Sequence, residues 1–475
     1  MRGKTFFLGR PSGTEKSVRR KGGPTARYPT RQTHRTSEKA AGCSYNSRMH
    51  AQRTTTHNIR LLLRAFVIFW LLVETSVVYA LRYLGMRATG KSRADRQAMF
   101  GKTVLGLFRR LGATFIKVGQ IMSTRPDLLP PHVISALASL QDNVGPFPYP
   151  DVERTLSEDF GQPVADLFSE FSRTPIASAS VAQVHKARLR SGQLVAVKVR
   201  RPDIEELCAF DLSVMSFYAR VLELVPSLKL LAPLESVEQF GRAIAMQLDF
   251  TIEAANNRRF TANFAQMPEV VVPTLHDPLC SRRVLTMDFI EGKKILDVGG
   301  EQTTRRALGE LGFRVMLKMI FADGFVHADL HPGNLLVTPE GKVALLDLGL
   351  VAEMDDTHRI AFARYFAAWA RGDGQTMADI MVSHSPSPYV RDRAGFTLAI
   401  QDFVSRLHGK RLGEVEVAKV VYDMLQILRR YRVRVNATFT MVNIAIAVTE
   451  GIGKQLDPTL DLLNEAMPFF MALSL

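Results

Sequence analysis

The chain has 475 residues, 46% of them apolar and 23% charged, a balance that is ordinary for a globular protein and excludes a wholly disordered one. Its formal charge of +15 is uneven, because residues 1–58 hold 13 Lys and Arg against two Glu. The rest of the chain, with 48 basic and 44 acidic residues, is nearly neutral. A nucleic-acid-binding domain would carry its excess charge on a folded surface, so we expect no nucleic-acid partner.

The three cysteines, Cys43, Cys208 and Cys280, lie far apart and form no C-x-x-C pair. Disulfide frameworks and structural zinc sites both use cysteines at short, recurring spacings. We therefore expect a reducing compartment, without disulfides and without structural zinc.

Residues 1–58 form a basic tail rich in Arg, Ser, Thr and Gly, with almost no apolar period. Such a segment cannot bury enough apolar surface to offset its chain entropy, so we expect it to be disordered. Its composition loosely resembles an organellar transit segment. A start of translation at Met49 is an equally good interpretation.

A hydrophobic helix is predicted within residues 59–90, because Leu61 to Ala80 is long and apolar enough to span a bilayer. Its twelve Leu, Ile, Phe and Val favour insertion by about −4 to −7 kcal/mol, and Glu74 opposes it by up to about +3 kcal/mol. At 100° per residue, Arg64, Glu74 and Arg82 form one narrow stripe. Contact with a membrane interface, a true span and packing against the protein all remain open.

The remaining chain predicts an α+β architecture with two lobes. Residues 91–165 read as helical, residues 166–292 as a small sheet-bearing lobe, and residues 293–475 as a larger helical lobe. A hairpin signal between Phe171 and Pro202 ends in the buried strand "VAVKV". A second extended pair is predicted at "EVVVPTL" and "RRVLTMDFI".

Three oxygen-bearing residues have the spacing that phosphoryl transfer requires. Asp329 and Asn334 share the segment "HADLHPGN", and Asp347 follows thirteen residues later at the end of a strand. In such sites one carboxylate orients the attacking hydroxyl, and an amide and a second carboxylate hold Mg²⁺ on the phosphates. We assign these roles to Asp329, Asn334 and Asp347, in that order.

Two other interpretations compete for the same segment. His327, Asp329 and His331 alternate along one extended stretch, as transition-metal ligands could, although no second cluster of ligands accompanies them. A polar turn without chemistry is the second alternative. It leaves the spacing of Asn334 and Asp347 unexplained.

Lys198, within "VAVKV", is predicted to contact the nucleotide phosphates, as the lysine of a V-A-I-K strand does. Its predicted partner is Glu253, on the helical segment "LDFTIEAANNRRF". Taken alone, a strand lysine is usually an edge charge and a helical glutamate a solvated one. Their order relative to Asp329 favours the nucleotide site.

Two features differ from an ordinary protein kinase. The turn expected to be glycine-rich instead holds Ala177, Ser178, Ala179 and Ser180, whose Cβ atoms restrict both positive φ and close approach to phosphate. A helix is predicted within about ten residues of Asp347, and no A-P-E motif follows. We therefore expect a small or lipid-like acceptor, or plain ATP hydrolysis, rather than a polypeptide substrate.

These motifs together resemble the UbiB (AarF-like) family of atypical kinases. The resemblance covers roughly residues 95–465 and includes the K-x-G-Q motif of "FIKVGQIMSTRPDLLP", the alanine-rich "ASASVAQVH", "HADLHPGN" and "LLDLG". It implies a protein-kinase-like fold with an N-terminal helical K-x-G-Q extension over the cleft. It also implies bound ATP and Mg²⁺ and a link to ubiquinone biosynthesis at membranes.

The resemblance further implies roles for residues that spacing alone does not assign. Lys117 and Gln120 of the K-x-G-Q motif would reach into the cleft, where Asp249 would contact Lys117. Met287 and Phe289 would contact the nucleotide. The family's E-x-D motif reads Gln247-Leu-Asp249 here, so one carboxylate is replaced by an amide.

Three hypotheses for function follow. The first is an atypical kinase or ATPase that supports ubiquinone synthesis at a membrane, on the cytoplasmic face of a bacterial inner membrane or, alternatively, in a mitochondrion or plastid. Its expected partners are ATP, an isoprenoid-quinone precursor or quinone-biosynthesis proteins, and a second copy of the chain as a homodimer. The second is a small-molecule phosphotransferase of the aminoglycoside or choline type, and the third a nucleotide-gated scaffold with little turnover.

Overall fold

A computed structural model describes most of the chain, with side chains from Leu62 onward. The described residues are 37–123, 129–137, 139–140, 145–224, 233–385, 390–407, 417–433 and 437–459. The chain divides into a unit of residues 1–63 and a unit of residues 64–475. The first unit is described from Ser37 as a helix, with side chains only at Leu62 and Leu63.

That helix, α1, runs from Ser37 to Ala88. The prediction of a disordered tail lies outside the described residues as far as residue 36, whereas residues 37–58 are helical. The composition of residues 37–58 did not predict this helical extension of α1. Adding a residue to an existing helix gains a hydrogen bond without a new nucleation step, so a polar segment can continue a helix that its apolar neighbour forms. Within the second unit, α1 buries Ile68 and Leu71 on one side and leaves most of its other apolar side chains exposed.

A helical layer follows, formed by α2 (Arg93–Leu111), α3 (Ala113–Ser123) and α4 (Pro131–Leu137). A capping box between Ser92 and Asp95 begins α2. The glycine of the K-x-G-Q motif, Gly119, lies where a Cβ would run into Leu140 and Phe108. Glycine is therefore required on α3 for close packing of this layer.

The smaller lobe is built on an antiparallel sheet with the strand order β1–β3–β4–β6, and β2 pairs with β3. Its strands are β1 (Phe168–Phe171), β2 (Ala177–Ser178), β3 (Ala182–Leu189), β4 (Leu194–Arg200) and β6 (Val284–Asp288). Alternation along "VAVKV" buries Val195, Val197 and Val199 in one core face and directs Lys198 to the other. The predicted hairpin between Phe171 and Pro202 is confirmed by the pairing of β3 with β4.

Helices pack against both faces of this sheet. They are α5 (Tyr149–Phe160), α6 (Val164–Leu167), α7 (Ile204–Glu223), α8 (Pro233–Leu248) and α9 (Phe250–Asn263). Helices α8 and α9 contribute Phe240, Ile244, Phe250 and Ala254 to a core that also holds Val118 of α3. The K-x-G-Q helix therefore packs directly against the smaller lobe.

The larger lobe contains a second sheet with the order β5–β10–β9–β7 and a two-stranded pair, β11–β8. Its strands are β5 (Val270–Val271), β7 (Lys293–Lys294), β8 (Phe325–His327), β9 (Leu335–Val337), β10 (Val343–Leu345) and β11 (Val351–Glu353). The prediction of a second extended pair is only partly right. Leu275, at the end of the first run, forms a β-bridge with Met287 of β6 in the second run. The start of the first run, β5, instead pairs in parallel with β10 and so belongs to the sheet of the larger lobe.

The helices of this lobe are α10 (Gln302–Leu317), α11 (Asp356–Ala370), α12 (Gly374–Ser383), α13 (Arg393–Leu407), α14 (Val417–Tyr431) and α15 (Ala437–Leu456). The largest core lies here, between α10, α11, α15 and the short strands. The α+β, two-lobe, protein-kinase-like fold predicted from the sequence is confirmed.

Candidate active site

Lys198 of β4 and Glu253 of α9 form a buried ion pair. The Lys198 Nζ atom lies 2.9 Å from each carboxylate oxygen of Glu253, and both side chains are almost fully buried. Burial raises the pKa of Glu253 against the pull of Lys198. Burial would lower the pKa of Lys198, but the carboxylates of Asp347 and Glu253 outweigh it and raise that pKa above its usual range.

Asp347 completes this arrangement from the larger lobe. Its Oδ1 lies 3.1 Å from Lys198 Nζ, and half of its side chain is exposed to the cleft. Burial would raise its pKa, but the ammonium groups of Lys198 and Lys117 hold it well below the usual carboxyl range. Asp347 also has a φ of 50°, in the left-handed region that costs a non-glycine residue energy. This conformation directs the carboxylate toward the lysine.

The loop after β8 carries Asp329 and Asn334 toward the same cleft. The Asn334 side-chain nitrogen donates to the backbone carbonyl of Asp329 at 3.0 Å, which fixes the orientation of the amide. The main chain of Asn334 accepts from the Leu346 N–H at 2.9 Å. The loop and the strand that delivers Asp347 are therefore joined through their backbones.

His327 and His331 support this loop. The His327 ring is fully buried, with Nε2 3.1 Å from the Leu346 carbonyl and Nδ1 accepting from the Asp329 N–H at 3.2 Å. His331 Nδ1 accepts from the Gly333 N–H at 3.0 Å. Within the described part of the chain, no three His, Cys, Asp or Glu side chains come together as a metal site, so nothing supports the transition-metal interpretation.

Asn256 is a residue of this site that sequence reasoning missed. It lies one turn after Glu253 on α9, is buried, and donates from Nδ2 to the Leu348 carbonyl at 2.8 Å. Gly349 follows, where a Cβ would lie 3.4 Å from Asp347 Oδ1 and Glu253 Oε2. The one signal in the sequence is its spacing: Asn256 lies three residues after Glu253 and so on the same face of the helix.

Lys117 and Gln120 of the K-x-G-Q motif have different neighbours. Lys117 is close enough to lower the pKa of both Asp347 and Glu253, although burial is the larger influence on each. Gln120 donates from its side-chain nitrogen to the Leu140 carbonyl at 3.3 Å, within the helical layer. The structure thus brings Lys117 to the acidic pair, while the Gln120 amide nitrogen contacts the helical layer.

The Gln247-Leu-Asp249 motif lies at the junction of α8, which ends at Leu248, and α9, which carries Glu253. Asp249 caps α9 by accepting from the Thr251 N–H at 3.0 Å, and it pairs with Arg282 at 3.2 Å. The Oε1 atom of Gln247 is buried and has no hydrogen-bond partner among the described residues. The amide at position 247 therefore leaves an oxygen unused where the family has a carboxylate.

The alanine-rich loop forms a tight hairpin without glycine. Ala177 and Ser178 lie in β2, Ser180 is fully buried, and the Ala179 N–H donates to the Ala182 carbonyl at 2.7 Å. None of these residues has a positive φ, so Cβ atoms cause no backbone strain here. The loop thus adopts a conformation open to alanine and serine, unlike a turn that requires glycine.

Arg201 fastens this loop from the end of β4. Its Nη2 donates to the carbonyls of Ala179 at 3.2 Å and Gly145 at 2.9 Å, and its guanidinium lies 5.1 Å from the centre of the Phe147 ring. Burial lowers the pKa of Arg201. The sequence motif gave no sign of this contact.

Met287 and Phe289 lie at the connection between the lobes. Met287 of β6 pairs with Ala196 of β4, two residues before Lys198. The Phe289 N–H donates to the Leu194 carbonyl at 3.1 Å, and Lys186 Nζ lies 4.4 Å from the centre of its ring. Both residues therefore adjoin the strand that carries Lys198.

The residues present fit a nucleotide with Mg²⁺. Mg²⁺ is usually held by one or two protein oxygen ligands and by substrate phosphates, rather than by a closed protein cage. The Asn334 amide oxygen and the Asp347 carboxylate are such ligands, and Lys198 offers a positive charge beside them. The donor set is thus suited to phosphate-bound Mg²⁺.

The segment after Asp347 is short, as the sequence predicted. Strand β11 begins at Val351 and pairs with β8, and α11 begins at Asp356. The chain therefore returns to the core of the larger lobe within nine residues of Asp347. An extended segment for docking a peptide is not formed here.

Comparisons with known proteins agree with the fold. The model of the ABC1 atypical kinase-like domain matches residues 139–381, and that of the UbiB helical domain matches residues 400–461. The chain is similar to the probable protein kinase UbiB of Pseudomonas paraeruginosa, with 35% identity over 76% of this chain and 69% of that protein. The relative of the same name from Aeromonas hydrophila is also 35% identical, over 76% of this chain and 68% of its own.

A solved structure, Rv3197 of Mycobacterium tuberculosis in complex with erythromycin, is similar in fold. It has a TM-score of 0.53 and 27% identity, and the match covers 73% of this chain and 87% of that one. The fold and site thus define a kinase-like protein of the atypical class. The chain belongs to the UbiB family of ABC1 atypical kinases.

Proposed function

We propose that the chain binds MgATP in the cleft between its lobes and acts as a kinase or ATPase that supports ubiquinone biosynthesis at a membrane. The observation that carries this proposal is the position of Lys198, within 2.9 Å of Glu253 and 3.1 Å of Asp347. Buried, strongly perturbed ionisable groups cluster at functional sites, and in a kinase-like fold a lysine at this place is the group that holds anionic phosphate.

Each residue of the cleft has a distinct task in this proposal. Lys198 contacts the α- and β-phosphates, and Glu253 keeps its side chain extended toward them. Asp329 orients the attacking hydroxyl or water. Asn334 and Asp347 hold Mg²⁺, which neutralises charge on the phosphates. The alanine-rich loop covers the nucleotide from above, and Met287 and Phe289 line its base.

The acceptor is proposed to be small or lipid-like, or to be water. The short path from Asp347 to α11 argues against a peptide, because no extended segment lies beside the cleft. The position of Lys117 near Asp347 places a further positive charge where an acceptor would enter. Membership of the UbiB family makes a precursor of ubiquinone the first acceptor to test.

Membrane contact is proposed to occur through α1. Arg64 is paired with the fully buried Asp211 at 2.9 Å, and Glu74 with Arg110 at 2.7 Å, so these two residues of the charged stripe face the protein, whereas Arg82 is exposed. The opposite stripe consists of exposed apolar residues: Leu62, Phe66, Phe69, Trp70, Val73, Val77, Leu81 and Leu84. The segment Leu62–Ala88 is also long and apolar enough to cross a bilayer, but its ion pairs fasten it to the protein, which favours an interfacial position.

A deletion strain tests this proposal in the cell. Quinones and their intermediates are measured after complementation with the wild-type gene, with Asp347→Asn, and with Asp355→Asn as a control at an exposed carboxylate. The proposal expects the wild type and the control to restore quinones and Asp347→Asn to fail. Full restoration by Asp347→Asn at equal protein level would contradict a role for Mg²⁺-nucleotide in quinone synthesis.

A further inference from the structure

Asp347 is held in a strained backbone conformation, and the contacts on its two sides explain how. Its φ of 50° lies in a region that favours glycine, yet the residue is an aspartate. Such strain persists only where surrounding contacts determine the conformation. The peptide before Asp347 is held by the Leu346 N–H on the Asn334 carbonyl and by the Leu346 carbonyl beside His327.

The peptide between Leu348 and Gly349, the second after Asp347, is held by one side chain from the other lobe. Asn256 Nδ2 donates to the Leu348 carbonyl at 2.8 Å, and the Asn256 side chain is buried. We infer that Asn256 is a positioning residue that fixes the Asp347 carboxylate for Mg²⁺ binding by holding the Leu348–Gly349 peptide, one residue beyond it. This inference rests on the proposed function, since it concerns the same nucleotide site.

Asn256 belongs to a row of contacts along one face of α9. Glu253, three residues earlier, holds Lys198, and Arg259, three residues later, pairs with Glu353 at 2.6 Å and lies 4.0 Å from the centre of the Phe325 ring. Phe260 packs against the same ring at 4.8 Å between centres. The helix is thus fastened to the larger lobe over two turns, so Glu253 and Asp347 keep one relative position.

The neighbouring residue provides a matched control. Asn257 is also buried on α9 and donates from Nδ2 to the Pro273 carbonyl at 2.9 Å, away from Asp347. Asn256→Leu and Asn257→Leu each remove one buried side-chain donor from the same helix. A general loss of stability should therefore be similar in both, while loss of Asp347 positioning should occur only in the first.

The test compares nucleotide binding with and without Mg²⁺. For Asn256→Leu we expect the Mg²⁺ concentration at half-maximal ADP binding to rise about tenfold, because the loss of one buried hydrogen bond weakens binding by about that factor. ADP binding without Mg²⁺ should be unchanged. Asn257→Leu should match the wild type in both measurements. Equal Mg²⁺ dependence in the two variants would overturn the inference. Asn256→Ser, whose hydroxyl is too short to reach Leu348, serves as a second variant if the leucine does not fold.

Amide hydrogen exchange gives a readout that needs no nucleotide. In Asn256→Ser the peptide covering residues 345–351 should exchange faster than in the wild type, and in Asn257→Leu it should not. Unchanged exchange in Asn256→Ser would overturn the inference independently. If the wild-type protein binds no nucleotide, the proposed function fails, while the exchange experiment still decides whether Asn256 holds Asp347.

Discussion

Lys198 Nζ lies within 2.9 Å of both carboxylate oxygens of Glu253, although the two residues are 55 positions apart and come from a strand and a helix. Each side chain is almost fully buried, so neither charge is well hydrated. The pair gives the cleft a fixed ammonium group whose third neighbour is Asp347. The following predictions test what this arrangement does.

Removing the lysine should leave a buried carboxylate without its partner. Lys198→Met is expected to lower the free energy of unfolding by about 3 kcal/mol, because Glu253 remains desolvated. Lys198→Met combined with Glu253→Gln should recover part of that loss, since no buried charge then remains. Chemical denaturation of the four proteins in the cycle measures this coupling. Strictly additive effects would show that the two residues do not stabilise one another.

The acid dependence of stability should reveal the state of Asp347. Its folded pKa lies below its unfolded pKa, so its contribution is present above about pH 4 and is lost as the pH falls through the folded value. The stability difference between the wild type and Asp347→Asn should therefore be constant near neutral pH and change only in the acid range. Urea denaturation at several pH values measures it. A difference that instead changes between pH 6 and 8 would refute the assigned pKa direction.

Arg201 should increase the affinity for the nucleotide by holding the alanine-rich loop in place. Arg201→Gln removes the bonds to Ala179 and Gly145, and we expect the KM for ATP to rise about fivefold with little change in kcat, as for lost ground-state binding. Arg188→Gln is the control, because Arg188 pairs with Glu170 on the exposed side of the same sheet. Steady-state ATPase measurements decide. A fall in kcat with an unchanged KM would place Arg201 in another role.

The exposed face of α1 should bind lipid. Phe66→Gln with Trp70→Gln is expected to weaken binding to anionic phospholipid vesicles at least tenfold, because two large apolar side chains are lost from the stripe. Leu398→Gln, at an equally exposed leucine on α13, should have no effect. Vesicle co-sedimentation measures binding. Undiminished binding by the double variant would exclude this face as the contact.

The fold and the main site residues were predictable because they depend on spacing along the chain. The alternation in "VAVKV" and the interval from Asp329 to Asp347 follow from strand period and loop length, so the sequence assigned Lys198, Asn334 and Asp347 to one site, and the fold brings Lys198 and Asp347 to 3.1 Å. A helical glutamate was the expected partner of Lys198, and Glu253, on the helical segment "LDFTIEAANNRRF", lies 2.9 Å from it.

Residues that act through distant backbone contacts were not predictable in this way. Asn256 and Arg201 bond to carbonyl groups, which every residue carries, so no complementary side chain marks their partners in the sequence. The sequence pattern showed that Arg64 and Glu74 lie on one side of the helix, but it did not show whether that side faces the protein or the solvent. Only the fold shows that Asp211, 147 positions from Arg64, receives the first of these charges.

The most direct test of the central claim is a calorimetric titration of the full chain with ATP in the presence and absence of Mg²⁺. The account predicts Mg²⁺-dependent binding in the wild type and in Asp355→Asn, and its loss in Asp347→Asn, while the folded fraction stays unchanged. An unaltered affinity of Asp347→Asn for MgATP would contradict the account.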